Sequence, residues 1–281
     1  MQKIALLTDS ASDLTKDIIE KYNIKTAPFR IIYKDKEYED RISIEPEEVY
    51  EKLEEEIPTT SLPNVERIEA LLNQLEDEGY THVISINIAS NLSGTGNSIR
   101  LILEDHPKLK SFVYDTKTLT MAEGALVIEA GKMIEEGKSF EEIISILPKL
   151  RKKLHVYFTL NTLEYLKKGG RIGKVSGTIG ELLNLKPLIY VNDDGIYETY
   201  AKLRGRKQSI KKLVEVLESY LEKSNCNIWL VDGHAKEEGH ELFEKIKNHP
   251  KIKHIYRQTL GPALGVHTGP GLIGFVIQEV D

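Results

Sequence analysis

The sequence predicts an α/β protein of two domains. The first, residues 1–153, reads as a three-layer α/β/α domain with a parallel sheet, and the second, residues 154–281, as an α/β domain with a mixed sheet. Short apolar runs alternate with helix-period segments up to about residue 152, the order that a parallel sheet with crossover helices requires. Farther on, Leu188–Val191 and Ile196–Leu203 flank Asn192-Asp-Asp-Gly195. Asp-Gly supplies the positive φ that a tight hairpin needs, and a hairpin among crossovers makes a sheet mixed. The length of 281 residues, 40% hydrophobic and 29% charged, suits one large or two modest globular domains.

Taken in order, Lys3–Thr8 is a buried strand that ends at Asp9 and hands over through short polar residues to a helix over about Thr15–Tyr22. A strand over Ile24–Tyr33 and a turn at Lys34–Glu37 follow. Ser43 is expected to cap a helix with Pro46 in its first turn, where a missing N–H costs nothing. Pro58–Pro63 breaks the chain. Val65–Glu78 is an amphipathic helix with Ile68, Leu71, Leu72 and Leu75 at helical spacing, closed by Gly79. Thr81–Ile88 is a buried strand, Ser90–Gly96 a loop, and Ile99, Leu101 and Ile102 lie on the next helix. Phe112–Tyr114 is a short strand ending at Asp115, and Leu119–Glu136 and Ser139–Lys152 are two helices.

In the second domain His155–Leu160 is a strand, and Thr162–Lys168 a short helix closed by Gly169 and Gly170. Val175–Leu183 is a helix of small residues. After the hairpin come a helix over Ser209–Lys223, a strand over Asn227–Val231 and a helix over Lys236–Asn248. The last strands are Ile252–Thr259 and Leu272–Val280, with a shaped loop between them.

Composition narrows the function. The net charge is −6 and the cations are scattered among acids, against a nucleic-acid footprint. The lone Cys226 excludes an internal disulfide and a thiolate metal cluster, and beside Ile228–Val231 it reads as a buried strand residue. His155, His234, His240 and His254 have no metal-ligand spacing, so neither metal nor cofactor is expected. No apolar run approaches the roughly 18 residues needed to span a bilayer, and the first apolar run is too short for a secretory signal. A cytoplasmic location is expected.

Three segments carry chemistry. Gly261–Gly274 holds five glycines and two prolines, with His267 and Thr268 its only polar side chains. Ser90-Asn-Leu-Ser93-Gly-Thr-Gly96 follows a strand and precedes a helix, where unsatisfied N–H groups and the helix dipole favour an anion. Gly94 and Gly96 would let an anion approach, and the Ser93 hydroxyl can donate; the same residues also fit a plain N-cap serine. Pro58-Thr-Thr60-Ser61-Leu-Pro63 is rich in hydroxyls. In an open parallel sheet ligands sit beyond the carboxyl ends of the strands, where Asp9, Ser90–Ser93 and Asp115 fall. The three segments are therefore expected to converge on one small anionic group. The dinucleotide fingerprint fails because Ile99 stands where its third glycine belongs, no P-loop occurs, and a nucleophile elbow would need glycines at Asn91 and Thr95. Lys167-Lys-Gly-Gly-Arg171 is a basic knob in which Arg171 lies outside the helix, free to meet a partner. Lys202, Arg204, Arg206 and Lys207 form a second basic cluster.

The ordered set Thr8-Asp-Ser-Ala-Ser-Asp-Leu14, Thr60-Ser-Leu-Pro63, Ile88-Ala-Ser-Asn-Leu-Ser-Gly-Thr95, Lys168-Gly-Gly-Arg-Ile-Gly173, Lys186-Pro-Leu-Ile189 with Asp194-Gly195, and Gly265-Val-His-Thr-Gly-Pro-Gly271 resembles the DegV family over nearly the whole chain. Leu62 stands where that family often has Gln, and Gly96-Asn97 where an aromatic-polar pair is common. The resemblance implies one long-chain fatty acid, such as palmitate, held between two domains. It implies that Ser61, with Thr60 beside it, and Ser93 bind the carboxylate, with His267 in support and Gly94 giving an amide; Thr268 is grouped with them. It further implies that Arg171 meets a separate ATP-dependent fatty acid kinase subunit, which turns the acid into an acyl phosphate for phospholipid metabolism, and that this chain catalyses nothing alone. Two other readings stand beside it. One is a serine hydrolase with Ser93 as nucleophile, His267 as base and Asp9, Asp115 or Asp232 as orienter. The other is a module that binds a sugar phosphate at the same helix terminus.

Overall fold

The computed structural model describes residues 2–178 and 185–280. The first half runs β1 (Ile4–Asp9), α1 (Lys16–Lys21), β2 (Lys25–Ala27), β3 (Arg30–Ile32), β4 (Glu37–Glu39), α2 (Pro46–Lys52) and β5 (Thr59–Ser61). It continues with α3 (Val65–Asp77), β6 (His82–Asn87), α4 (Thr95–Glu104), β7 (Lys110–Asp115), α5 (Thr120–Glu135) and α6 (Phe140–Arg151). Then come β8 (Leu154–Thr159), α7 (Glu164–Lys168), β9 (Leu188–Val191), β10 (Tyr197–Ala201) and α8 (Arg206–Leu221). The chain closes with β11 (Asn225–Gly233), α9 (Lys236–Ile246), β12 (Ile252–Thr259), α10 (Pro262–Thr268) and β13 (Leu272–Val280).

Side chains alternate across each sheet, and that alternation sorts the core into layers. The parallel sheet has the order β2-β1-β6-β7. Ala5 and Leu7 of β1 face Ile68, Leu72 and Leu75 of α3 and Ile99 of α4, whereas Leu6 joins a larger cluster on the other side. The mixed sheet has the order β10-β9-β8-β13-β11-β12, and only β11 and β12 pair in parallel within it. Its outer face, with Ile228, Leu230 and Phe275, packs on α8 and α9. Its inner face, with Val156, Phe158 and Val276, shares one cluster with Leu6, Ile84 and the middle helices α5 and α6. Helix α5 therefore buries eleven of its sixteen residues, because both sheets press on it.

Three expectations change. The strand over Ile24–Tyr33 divides at Pro28, which has no N–H for a ladder; β2 joins the parallel sheet, and β3 forms a small antiparallel sheet β4-β3-β5. Ser43 does not cap α2. Its hydroxyl accepts from the Glu39 amide at 2.8 Å, while Glu45 stands at the cap with its N–H bound by Glu48 at 3.1 Å. The segment Gly261–Gly274 is not all loop, since its first half is helix α10. Of the expected helix Val175–Leu183, the first residues form the end of a 3-10 turn over Gly173–Thr178, and the rest lies outside the described residues.

Candidate functional site

Helix α10 has six of its seven residues buried and starts with Pro262, whose fixed φ suits the first helical position. Its glycine at 265 admits a neighbour: a Cβ there would lie 2.8 Å from the Tyr50 hydroxyl oxygen of α2. Leu264, His267 and Thr268 stand three and four residues apart, hence on one face of the helix. That face lines two narrow slots in sequence.

The first slot is narrow, with a cavity volume of about 30 Å³. Its polar lining is Thr60, Ser93, His267 and Arg171; the rest is apolar, including Phe29, Ile88 and Leu92. Among the described residues no carboxylate lines it. Thr60, Arg171 and His267 also line a wide outer groove, so the polar end of the slot faces the surface. The second slot, also with a cavity volume of about 30 Å³, lies between the inner face of the mixed sheet and helices α5 and α10. Val156, Phe158, Val231, Leu260 and Val276 make its walls apolar, and Tyr197 and Leu264 are the two residues common to both slots.

Thr60 Oγ1 and His267 Nε2 lie 2.8 Å apart, joining residues 207 positions distant in the chain. Burial, and then the neighbouring Arg171 cation, push the His267 pKa down from 6.5 to about 4, so the ring is neutral at pH 7. Its Nδ1 is buried without a partner against Gly169, where a Cβ would sit 2.1 Å from that nitrogen. The glycine of the basic knob thus makes room for the ring. Arg171 donates from Nε to the Leu92 carbonyl at 3.1 Å and from Nη1 to the Gly169 carbonyl at 2.7 Å. It is part of the slot as well as of the outer surface.

Ser93 is buried, and its Oγ lies 2.8 Å from Thr95 Oγ1 and accepts from the Thr95 amide at 3.3 Å. Gly94 stands at the N-cap of α4 with an ordinary φ of −76°, and a Cβ there would touch only Leu62, at 4.0 Å. Ser61 is not brought to the slot. In β5 the side chains alternate, so Thr60 points inward beside Ile31 while Ser61 faces the opposite way and accepts from Arg30 Nη2 at 2.9 Å. Thr268 lines the second slot, and its hydroxyl donates to the Leu264 carbonyl at 3.2 Å.

The hydrolase triad is not assembled. His267 is bonded to Thr60 instead of Ser93, and no carboxylate among the described residues orients its Nδ1. Asp9 accepts from the Ala11 and Ile88 amides, Asp115 from the Ser90 and Lys117 amides, and Asp232 pairs with Arg257. Among the described residues no cluster of three or more His, Cys, Asp or Glu side chains is placed to hold a metal ion. No described helix is long and apolar enough to cross a membrane.

Thr95, Tyr197 and Leu264 were not singled out from the sequence. Thr95 is two residues from Ser93 and Leu264 one helical turn from His267, but α10 had to be recognised as a helix before that spacing meant anything.

A DegV domain-containing protein of Clostridium acetobutylicum is 52% identical over 277 residues, covering 99% of each chain. A Thermus thermophilus structure described as fatty acid binding of a DegV family protein superposes with a TM-score of 0.92 at 30% identity, covering 99% of this chain and 100% of that one. A stearic acid-binding protein of Eubacterium ventriosum superposes with a TM-score of 0.88 at 31% identity, covering 99% of this chain and 98% of that one. The family described as "Uncharacterised protein, DegV family" matches residues 3–280. The chain belongs to the DegV family.

Proposed function

We propose that this protein binds one long-chain fatty acid, such as palmitate, with the carboxylate in the first slot and the acyl chain running into the second. The observation that carries the reading is a donor-lined slot with no acid among the described residues, backed by an apolar one. Fatty acid binding in the Thermus relative and stearic acid binding in the Eubacterium relative support it.

Each residue has a chemical part. A carboxylate taken out of water requires several compensating donors. With His267 neutral and its Nδ1 unprotonated, Nε2–H donates to Thr60, whose own hydroxyl is then free to donate to the acid. Ser93 donates likewise while accepting from Thr95. Arg171 supplies the full positive charge at the mouth. Gly94 contributes its amide at the start of α4. Thr60 thereby takes the part first expected of Ser61. Burying a dozen methylenes at about 0.8 kcal/mol each gives roughly 10 kcal/mol before ordering costs.

The bound acid is presented, through the groove that Arg171 borders, to a separate ATP-dependent kinase that makes the acyl phosphate. The chain performs no catalysis alone, and it works in the cytoplasm, where such a partner finds ATP. Titration of delipidated protein with palmitate, followed by reconstitution with a fatty acid kinase subunit, tests both halves. Binding with one site per chain is expected, and Arg171→Ala is expected to weaken lipid binding and, at saturating lipid, to slow phosphorylation. Absence of palmitate binding, or rapid stoichiometric labelling of Ser93 by a fluorophosphonate in its place, overturns the reading.

A further inference from the structure

We infer that Tyr197 and Leu264 form a neck that determines which acyl chains reach the second slot; this rests on the fatty-acid reading above. Among the described residues they alone line both slots, so a chain passing from one to the other passes between them. Both are buried, at 3% and 7% exposure, and they come from opposite walls: Tyr197 opens β10 of the mixed sheet, and Leu264 lies on α10.

Each wall is braced, which makes the gap a gauge instead of a soft contact. The Tyr197 ring packs edge-on against Phe158, with centroids 5.2 Å apart at 74°. The backbone of Tyr197 pairs with Val191 and is crossed by Gly173, where a Cβ would lie 2.7 Å from the Tyr197 carbonyl oxygen. The turn before it is tied to the Ser93 loop, because Asn91 Nδ2 donates to the Asp194 carbonyl at 2.8 Å. On the other wall, Asp13 holds the first amide of α10 through Gly261 at 2.9 Å, and Tyr50 lies against Gly265. Close-packed walls of this kind respond to a single added methylene by strain and not by yielding.

The neck has a consequence for specificity. An acid short enough to stay in the first slot meets only the near side of the neck, whereas every longer acid gains affinity only by threading it. The two side chains are therefore specificity-determining for chain length and for cross-section. They act without touching the carboxylate partners.

The test uses the full-length delipidated protein and four probes: octanoate, palmitate, elaidate and oleate. Leu264→Phe and Tyr197→Trp narrow the neck from its two walls, and Leu264→Ala widens it. In the unaltered protein palmitate is expected to bind more tightly than octanoate, and the straight elaidate more tightly than its bent cis isomer oleate. Each narrowing variant is expected to cut the palmitate-to-octanoate affinity ratio by about tenfold or more, the scale on which a pocket discriminates one or two methylenes. Leu264→Ala is expected to shrink the elaidate-to-oleate ratio. Thermal unfolding identifies any variant that does not fold, and the variant on the other wall then decides. Ratios unchanged in the folded variants, or equal losses of octanoate and palmitate, overturn the neck while fatty acid binding stands. Failure of the unaltered protein to bind any of the four acids overturns the fatty-acid reading itself.

Discussion

Two buried polar clusters lie close together at the carboxyl ends of the parallel strands, and they are built in opposite ways. Among the described residues, the slot of Thr60, Ser93, His267 and Arg171 holds hydroxyls, a neutral imidazole and one cation, with no acid. The neighbouring cluster holds four buried acids, Asp9, Asp13, Asp40 and Glu123, and most of their oxygens are already engaged. Asp13 alone accepts from Arg41 at 2.7 Å, the Gly261 amide at 2.9 Å and the Thr120 hydroxyl at 2.6 Å. Because Arg41 also donates to the Thr259 carbonyl, this cluster clamps α10 to the N-terminal half of the chain. A surplus of donors leaves capacity for an outside anion, whereas acids with their donors already supplied leave none. The motif Thr8–Leu14 is thus the frame, and the hydroxyl motifs are the proposed site.

The largest effect expected from this contrast is at the clamp. Asp13→Ala removes one partner of a buried ion pair and strands Arg41, so denaturant unfolding should show a loss of about 3–5 kcal/mol. Loss below 1 kcal/mol would remove the clamp from the account. Next come the slot hydroxyls. Thr60→Ala and Ser93→Ala should each weaken fatty acid binding by about 1–3 kcal/mol with little change in stability. Ser61→Ala should cost less than either, and a Ser61 effect as large as that of Thr60 would reverse the facing assigned to β5.

The effects of pH separate the two clusters by sign. Burial raises Asp9 to about 6 and Asp40 to about 7, so folding favours their protonated forms. The stability they contribute is full below the ordinary carboxylate value of 3.8 and is lost as pH rises through 6 and 7. His267, lowered to about 4, does the reverse: its contribution is full above 6.5 and is lost as pH falls through 4. Asp40→Asn should therefore flatten the fall in melting temperature between pH 5 and 8, and His267→Gln the fall between pH 6 and 4. A steeper fall in either variant would invert the assignment.

Much of this was legible in the sequence because apolar period and punctuation were consistent. Ser139 caps α6 with Glu142, Gly79 follows α3, and Asn192–Gly195 makes the β9–β10 turn. Helix α10 was hidden because glycine and proline argue locally against a helix, whereas burial of nearly every residue overrides propensity. Ser61 and Thr60 could not be told apart for a similar reason. Adjacent strand residues point to opposite faces, and only register against β3 decides which face is inward. Arg171 reads as an exposed cation until the Leu92 and Gly169 carbonyls are seen to draw it into the slot wall.

A native mass spectrum of freshly purified protein, compared with its Thr60→Ala/Ser93→Ala double variant, tests the central claim most directly. The donor-slot account predicts one added mass per chain equal to a long-chain fatty acid, strongly reduced in the variant. A protein that carries no acyl mass even after incubation with palmitate, or that carries a phosphosugar in its place, contradicts it.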